Sequence, residues 1–271
     1  MSFRTVAGDT ELWELVAGRR KAGALLTNFI FTDPRFAAAA RMGVLLTATD
    51  QPGSLFLLRD EEVARLYYMA PSPNELVALI GHHRAALDSS FVIDILGPEQ
   101  SSQPAAEALQ TAGFAAYKTF LRMNRVGLEV ERPDGSWRIE LAREADAAEV
   151  HTLIRQEFDP FAEHLPGPDT VAEAARSSEI LLLRQGATLL GFLMFGQAGA
   201  TSLLRFIAVS SLARNAGIGQ ALVSEYLWRT RTCKRHQLWV WEENHPARRR
   251  YAKAGYRADG IVDRIFRFEA H

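Results

Sequence analysis

Apolar and polar positions follow two different periods along this chain, and together they predict a mixed α/β protein. Between Asp9 and Ala22 apolar side chains recur every three to four residues, which is typical of an amphipathic helix. Shorter apolar runs bounded by Gly, Pro, Asn or Asp predict strands. The other predicted helices are one with an acidic first turn at Glu144 and Asp146, and Pro73–Leu87, Pro104–Thr111, Gly217–Thr230 and Pro246–Ala254; the predicted strands are Leu55–Leu58, Val63–Met69, Phe91–Leu96, Ala116–Met123, Trp137–Leu141, Ile180–Arg184, Thr188–Phe195, Ser202–Val209, Gln237–Trp241 and Ile261–Phe268.

A polar stretch with Pro and Gly, at residues 131–136, separates two runs of regular pattern and predicts domains at 1–130 and 137–271. The two halves share an order of elements. Phe91–Met123 and Gln237–Phe268 each contain, in this order, a strand, a short helix, an Ala-Gly-aromatic turn and a second strand. This order indicates a tandem duplication. The alternative is that a helix, a glycine and a strand form a common unit that arose twice.

Composition restricts the partners. The 31 basic residues nearly balance the 32 acidic ones, so no electrostatic argument favours nucleic acid or an anionic membrane. Cys233 is the only cysteine, which excludes an internal disulfide and is typical of a reducing compartment. We therefore expect a cytoplasmic protein, a monomer or a homodimer, with no membrane segment, no metal site and a small, specific substrate.

The segment that carries chemistry is Leu203–Val223, in which an apolar strand leads through a loop with two glycines into an amphipathic helix. The first N–H groups of a helix lack intrahelical acceptors and carry partial positive charge. Because Gly217 and Gly219 have no bulky side chains, these N–H groups can close around a phosphate. Neither a GxxxxGK[ST] loop nor the third small residue of a dinucleotide fingerprint is present, so a pyrophosphate of another cofactor is favoured.

Two motifs in the second half resemble those of one family. Arg214-x-x-Gly217-x-Gly219 begins five residues after Val209, at the end of the strand. Asn244, Tyr251 and a Gly-aromatic pair follow the next predicted strand. Together they resemble the motifs of the GNAT superfamily of acyl-CoA N-acyltransferases, from about Trp137 to the C-terminus. The resemblance implies the acyl-CoA N-acyltransferase fold, which is an α/β (α+β) fold with a mixed sheet. It also implies that two GNAT-like domains follow each other in tandem.

The resemblance also implies a cofactor, acetyl-CoA, and residues that hold it. The strand backbone from Ile207 to Val209 would pair with the pantetheine arm, and the loop amides from Asn215 to Gln220 would bind the pyrophosphate. Asn244 would bond to the pantetheine chain or shape its channel, and the Tyr251 hydroxyl would act as general acid at the sulfur. Tyr251 could instead be a helix tyrosine that packs on the sheet. The implied cofactor residues are Ile207, Ala208, Val209, Arg214, Asn215, Ala216, Gly217, Ile218, Gly219, Gln220, Asn244 and Tyr251.

The acceptor side is less defined. Glu157 is near the end of the first helix of the second half, where the superfamily forms acceptor sites, and we predict it as the catalytic base; a solvated helix carboxylate is the alternative. Arg205 is predicted to bind an acidic acceptor or to pair with a carboxylate. Glu242, Glu243 and His245 are further candidate bases. The oxyanion donor is expected where a strand pair separates after Val209.

The first half has the same element order without the motifs. Leu109 occupies the position that matches Tyr251, and prolines stand where phosphate-binding amides would be needed. Residues 1–130 are therefore expected to form a degenerate GNAT-like domain or an unrelated cap. The chain as a whole is expected to be an N-acetyltransferase that acts on a primary amine of a small molecule or peptide. The alternatives are a non-catalytic acyl-CoA-binding or regulatory module and an aminoacyl or peptidyl transferase of paired GNAT-like architecture.

Overall fold

The computed structural model describes residues 3–23, 26–29, 34–50, 53–59, 63–87, 90–127, 129–213 and 216–268. They form two compact units, one made of Met1–Thr119 with Ile261–His271 and the other of Phe120–Gly260. No helix within the described ranges is long and apolar enough to cross a membrane.

The N-terminal unit is a mixed sheet with helices. Its strands lie in the order β1-β3-β4-β5-β6, followed by the end of the last strand of the chain, and β2 pairs with β5. All neighbouring pairs are antiparallel except β5 and β6, which are parallel. Its elements are β1 (Arg4–Thr5), α1 (Asp9–Lys21), β2 (Leu26–Thr27), α2 (Pro34–Arg41), β3 (Leu45–Thr49), β4 (Ser54–Arg59), β5 (Ala64–Ala70), α3 (Pro73–His83), β6 (Phe91–Pro98) and α4 (Glu99–Thr111).

The C-terminal unit repeats this plan. Its strands lie in the order β8-β9-β10-β11-β12-β7, and only β11 and β12 are parallel. One face of the sheet packs on α7 and α8, and the other packs on α5 and α6. The remaining elements of the chain are β7 (Ala115–Val126), β8 (Ile139–Leu141), α5 (Ala147–Glu157), α6 (Pro168–Arg176), β9 (Ile180–Gln185), β10 (Thr188–Ala198), β11 (Thr201–Val209), α7 (Ile218–Arg229), β12 (Arg235–Trp241), α8 (His245–Lys253) and β13 (Arg257–Phe268). Two of them, β7 and β13, continue from one unit into the other.

The compact units differ from the predicted bounds 1–130 and 137–271 because most of one strand from each predicted domain belongs to the other unit. Phe120–Val126 of β7 pairs with β12 of the C-terminal unit. Ile261–Phe268 of β13 pairs with β6 of the N-terminal unit. Both strands were predicted as strands, but a pattern of apolar residues does not specify a partner that is distant in sequence.

Other elements were not expected from the pattern. No helix was predicted between α5 and Ile180, but this proline-rich segment contains α6, which begins with Pro168 and buries Val171, Ala174 and Ala175. Proline is well placed there because a first helical residue needs no N–H acceptor. Helix α4 begins at Glu99, five residues before the predicted start at Pro104. The short elements β1, β2, α2 and β3 were also missed.

Candidate active site

The centre of the C-terminal unit is a place where two parallel strands separate. β11 and β12 pair from Thr201↔Arg235 to Leu204↔Leu238, and no pair follows within the described residues. Beyond Leu204, one edge of β11 still pairs with β10, while the edge facing β12 has no strand beside it. The backbone of Ile207–Val209 therefore has one open edge, at which an extended chain can form hydrogen bonds.

This separation begins five residues earlier than the expected position after Val209, and a β-bulge explains it. Met194 pairs with Phe206, whereas Phe195 pairs with Leu204, so Arg205 is an extra residue on β11. An extra residue bends the strand and increases its twist. The bend coincides with the last pair between β11 and β12.

The glycine loop forms the start of α7. Gly217 has φ 82 and is the N-cap residue, a left-handed conformation that glycine adopts without strain. The N–H of Ala216 donates to Ala213 O at 3.4 Å, and that of Gln220 donates to Gly217 O at 3.0 Å. The N–H groups of Gly217, Ile218 and Gly219 donate to no described residue. These three of the predicted amides are thus the ones positioned to bind an anion; Arg214 and Asn215 lie outside the described residues.

Arg250, on α8, lies against this helix start. A Cβ on Gly219 would be 3.0 Å from Arg250 Nη1 and 3.3 Å from Cζ, so the guanidinium occupies the space that the glycine leaves. The Arg250 side chain forms no ion pair or hydrogen bond with a described residue. A cation beside the positive end of a helix dipole is unfavourable unless an anion lies between them. The arrangement therefore favours a bound anion.

Tyr251 follows Arg250 and points into the core. Its side chain is 5% exposed and packs against Tyr256, with ring centroids 5.9 Å apart. Burial raises the pKa of Tyr251 to about 12, against the smaller lowering effect of the Arg250 charge. The hydroxyl is therefore protonated at neutral pH, as a general acid must be. The burial of Tyr251 agrees equally well with the alternative role predicted for it, a tyrosine that packs on the sheet.

Asn244 is the N-cap residue of α8. Its Oδ1 accepts a hydrogen bond from Ala247 N at 3.2 Å. This cap fixes the start of the helix that carries Arg250 and Tyr251. The Nδ2 group, on the other side of the amide, is the atom with which Asn244 could contact a cofactor arm.

The acceptor candidates lie on different elements. Glu157 is the exposed last residue of α5, and Arg205 is exposed at the bulge. Arg205 Nε and Glu179 Oε1 are 3.8 and 3.9 Å from the position of a Cβ on Gly196, so both side chains lie over this glycine. Neither forms an ion pair with a described residue. Glu179 was missed because it stands alone between a helix and a strand, in no motif. Glu242, Glu243 and His245 are exposed.

The segment that contains the strand edge, the glycine loop and the buried tyrosine matches a known family. Residues 147–256 match the model of the acetyltransferase (GNAT) family. Residues 147–256 therefore form a GNAT domain. Membership in this family supports acyl transfer as the activity of the domain. A comparison with curated proteins gives no match.

Solved structures resemble the whole chain in fold. A GCN5-related N-acetyltransferase from Sphaerobacter thermophilus is 15% identical, with a TM-score of 0.63 over 95% of this chain and 91% of that one. A tandem GNAT protein from the clavulanic acid biosynthesis pathway is 14% identical, with a TM-score of 0.63 over 100% and 98%. A GNAT acetyltransferase from Colwellia psychrerythraea is 14% identical, with a TM-score of 0.57 over 100% of both chains. These similarities confirm the predicted acyl-CoA N-acyltransferase fold in tandem.

Proposed function

We propose that this protein transfers an acetyl group from acetyl-CoA to a primary amine of a small molecule or peptide. The observation that carries the proposal is the combination of three features in one GNAT domain. These are amides at the start of α7 with no acceptor among the described residues, an open edge on β11 and a buried, protonated tyrosine on α8. Each of the three suits one part of the cofactor, namely the diphosphate, the extended pantetheine arm and the thioester sulfur.

The residues present fit the cofactor. The amides of Gly217, Ile218 and Gly219 would donate to the diphosphate, and Arg250 would add a charge-assisted hydrogen bond. The open edge of Ile207–Val209 would pair with the amide groups of the arm, with Asn244 Nδ2 as a further donor. Arg214 and Asn215 remain predicted as parts of the same loop.

Acetyl-CoA, when bound, supplies an acetyl group activated as a thioester. The chain would hold the two substrates in line, which itself supplies much of the rate acceleration. The Tyr251 hydroxyl would donate its proton to the departing sulfur. An unpaired N–H of β11 beyond the bulge would donate to the carbonyl oxygen as charge develops on it.

On the acceptor side, the base would be a carboxylate that removes a proton from the amine. Glu157 remains our predicted base, and Glu179, which lies over Gly196 as Arg205 does, is a second carboxylate. Arg205 would bind an acidic group of the acceptor, because its guanidinium is exposed and has no ion pair with a described residue. An acceptor that carries both an amine and a carboxylate fits this pair of charges best.

The function is tested by measuring thiol release from acetyl-CoA with a panel of amines, amino acids, polyamines and aminoglycosides. We expect turnover with at least one primary amine, and lower KM values for amines that carry a carboxylate than for those that lack one. A chain that binds CoA but releases no thiol with any amine would instead be a non-catalytic acyl-CoA-binding module.

Replacing Arg250 by Leu is expected to weaken CoA binding about 10-fold, since one exposed charge-assisted hydrogen bond to the diphosphate is lost. Isothermal titration calorimetry measures the effect. The matched control is Arg249→Leu, because Arg249 is also an exposed arginine on the same helix; we expect this substitution to leave the affinity within about 2-fold. Equal effects of both substitutions would contradict a specific contact by Arg250.

A further inference from the structure

The N-terminal unit contains a counterpart of the strand separation. Its parallel strands β5 and β6 pair from Ala64↔Phe91 to Leu66↔Ile93, and no pair follows within the described residues. β4 covers one edge of β5 along nearly its whole length, from Ala64 to Met69. The opposite edge, beyond Leu66, therefore corresponds to the open edge of β11.

In the N-terminal unit this edge is covered by the chain itself. β2 pairs with it antiparallel, with Leu26 opposite Ala70 and Thr27 opposite Met69. Because β4 lies along the other edge, β2 lies on the side of β6. The segment Leu26–Phe29 thus runs along β5 in the place where a cofactor arm would lie along β11.

The side chains of this segment complete the hydrogen bonds of the edge. Asn28, 7% exposed, donates from Nδ2 to Leu66 O at 3.2 Å and accepts from Tyr68 N at 2.8 Å. Thr27 Oγ1 donates to Tyr68 O at 2.7 Å. A side-chain amide that both donates and accepts makes the same pair of bonds that an amide of an extended ligand would make.

The helix start of this unit is also satisfied internally. α3, which follows β5 as α7 follows β11, begins with Pro73, which has no N–H. Ser72 Oγ accepts from Glu75 N at 3.3 Å and donates to Glu75 Oε2 at 3.0 Å. The α7 start has glycines and free amides instead. A carboxylate already lies at the α3 start, where it would repel a phosphate.

We propose that Leu26–Phe29 acts as a built-in substitute for the cofactor arm, so that the N-terminal unit takes no acyl-CoA and each chain binds one. The correspondence between the two edges rests on the cofactor site proposed above. The N-terminal unit is then a GNAT-like copy whose groove is closed by its own chain.

The first test is the stoichiometry of CoA binding to the full chain by calorimetry. We expect one CoA per chain for the wild type and none for Gly217→Glu, which places a carboxylate at the α7 start. Two CoA per chain, or one remaining in Gly217→Glu, would overturn the proposal, because the N-terminal groove would then be open. No binding to the wild type would refute the proposed function, and the second test would then decide the role of the segment.

The second test is hydrogen exchange at the Tyr68 amide, which needs no ligand. Asn28→Ala is expected to accelerate this exchange at least about 10-fold, because the buried acceptor is lost. Asn28→Asp retains an acceptor oxygen and should keep most of the protection, which covers the case in which Asn28→Ala does not fold. Asn74→Ala, an exposed asparagine of the same unit, is the control. Unchanged exchange in Asn28→Ala, or full loss of protection in a folded Asn28→Asp, would overturn the proposal.

Discussion

Gly217→Glu is expected to weaken CoA binding at least 100-fold, about 2.7 kcal/mol, and to abolish acetyl transfer with it. The N–H groups of Gly217, Ile218 and Gly219 have no acceptor in the described part of the chain, so they can bind an anion. A glutamate at the N-cap would place its own carboxylate there. The carboxylate would both occupy the amides and repel the diphosphate. Calorimetry with CoA measures the loss directly.

A left-handed backbone at Gly217 makes any larger residue strained, so the control must carry the same strain. Gly199→Glu meets this need, because Gly199 is exposed in the turn between β10 and β11 and has φ 57. We expect Gly199→Glu to lower stability similarly and to leave the CoA affinity within about 2-fold. Equal losses of affinity in the two variants would assign the effect to folding and contradict the anion site.

Tyr251→Phe is expected to lower kcat at least about 100-fold while the affinity for CoA stays within about 2-fold. The substitution removes only the hydroxyl, whose proton we assign to the departing sulfur, and retains the ring that packs against Tyr256. Because the pKa of Tyr251 is about 12, its ionisation should cause no loss of wild-type activity up to about pH 10. Steady-state rates of thiol release across pH give both results.

Tyr256→Phe is the matched control, since Tyr256 is a fully buried tyrosine in the same apolar cluster. We expect Tyr256→Phe to change the melting temperature and to leave kcat nearly unchanged. A normal kcat in Tyr251→Phe would remove Tyr251 from the mechanism, and a parallel loss of CoA affinity would mean that the hydroxyl binds the cofactor rather than acting in the chemical step.

Much of the candidate site was predictable because it is local. The loop before α7, its left-handed glycine and the helix that follows are determined by residues that are neighbours in sequence. The approach of Arg250 to Gly219 was not predictable, since it joins two helices and depends on how both pack against the sheet. Glu179 could not be found either, because it reaches Gly196 and Arg205 only through its hydrogen bond with Phe195 of β10 and the pairing of β10 with β11.

The same distinction holds for the fold. By itself the sequence determined the alternation of strands and helices, the two similar halves and the residues of the cofactor motif, because apolar periodicity, glycine and proline act over a few residues. The tertiary structure alone decided which strands pair: it gave β7 and β13 to opposite units, placed a bulge where β11 separates from β12, and laid Leu26–Phe29 along β5. Strand pairing joins residues that are distant in the sequence, so local patterns do not specify it and only the packed sheet does.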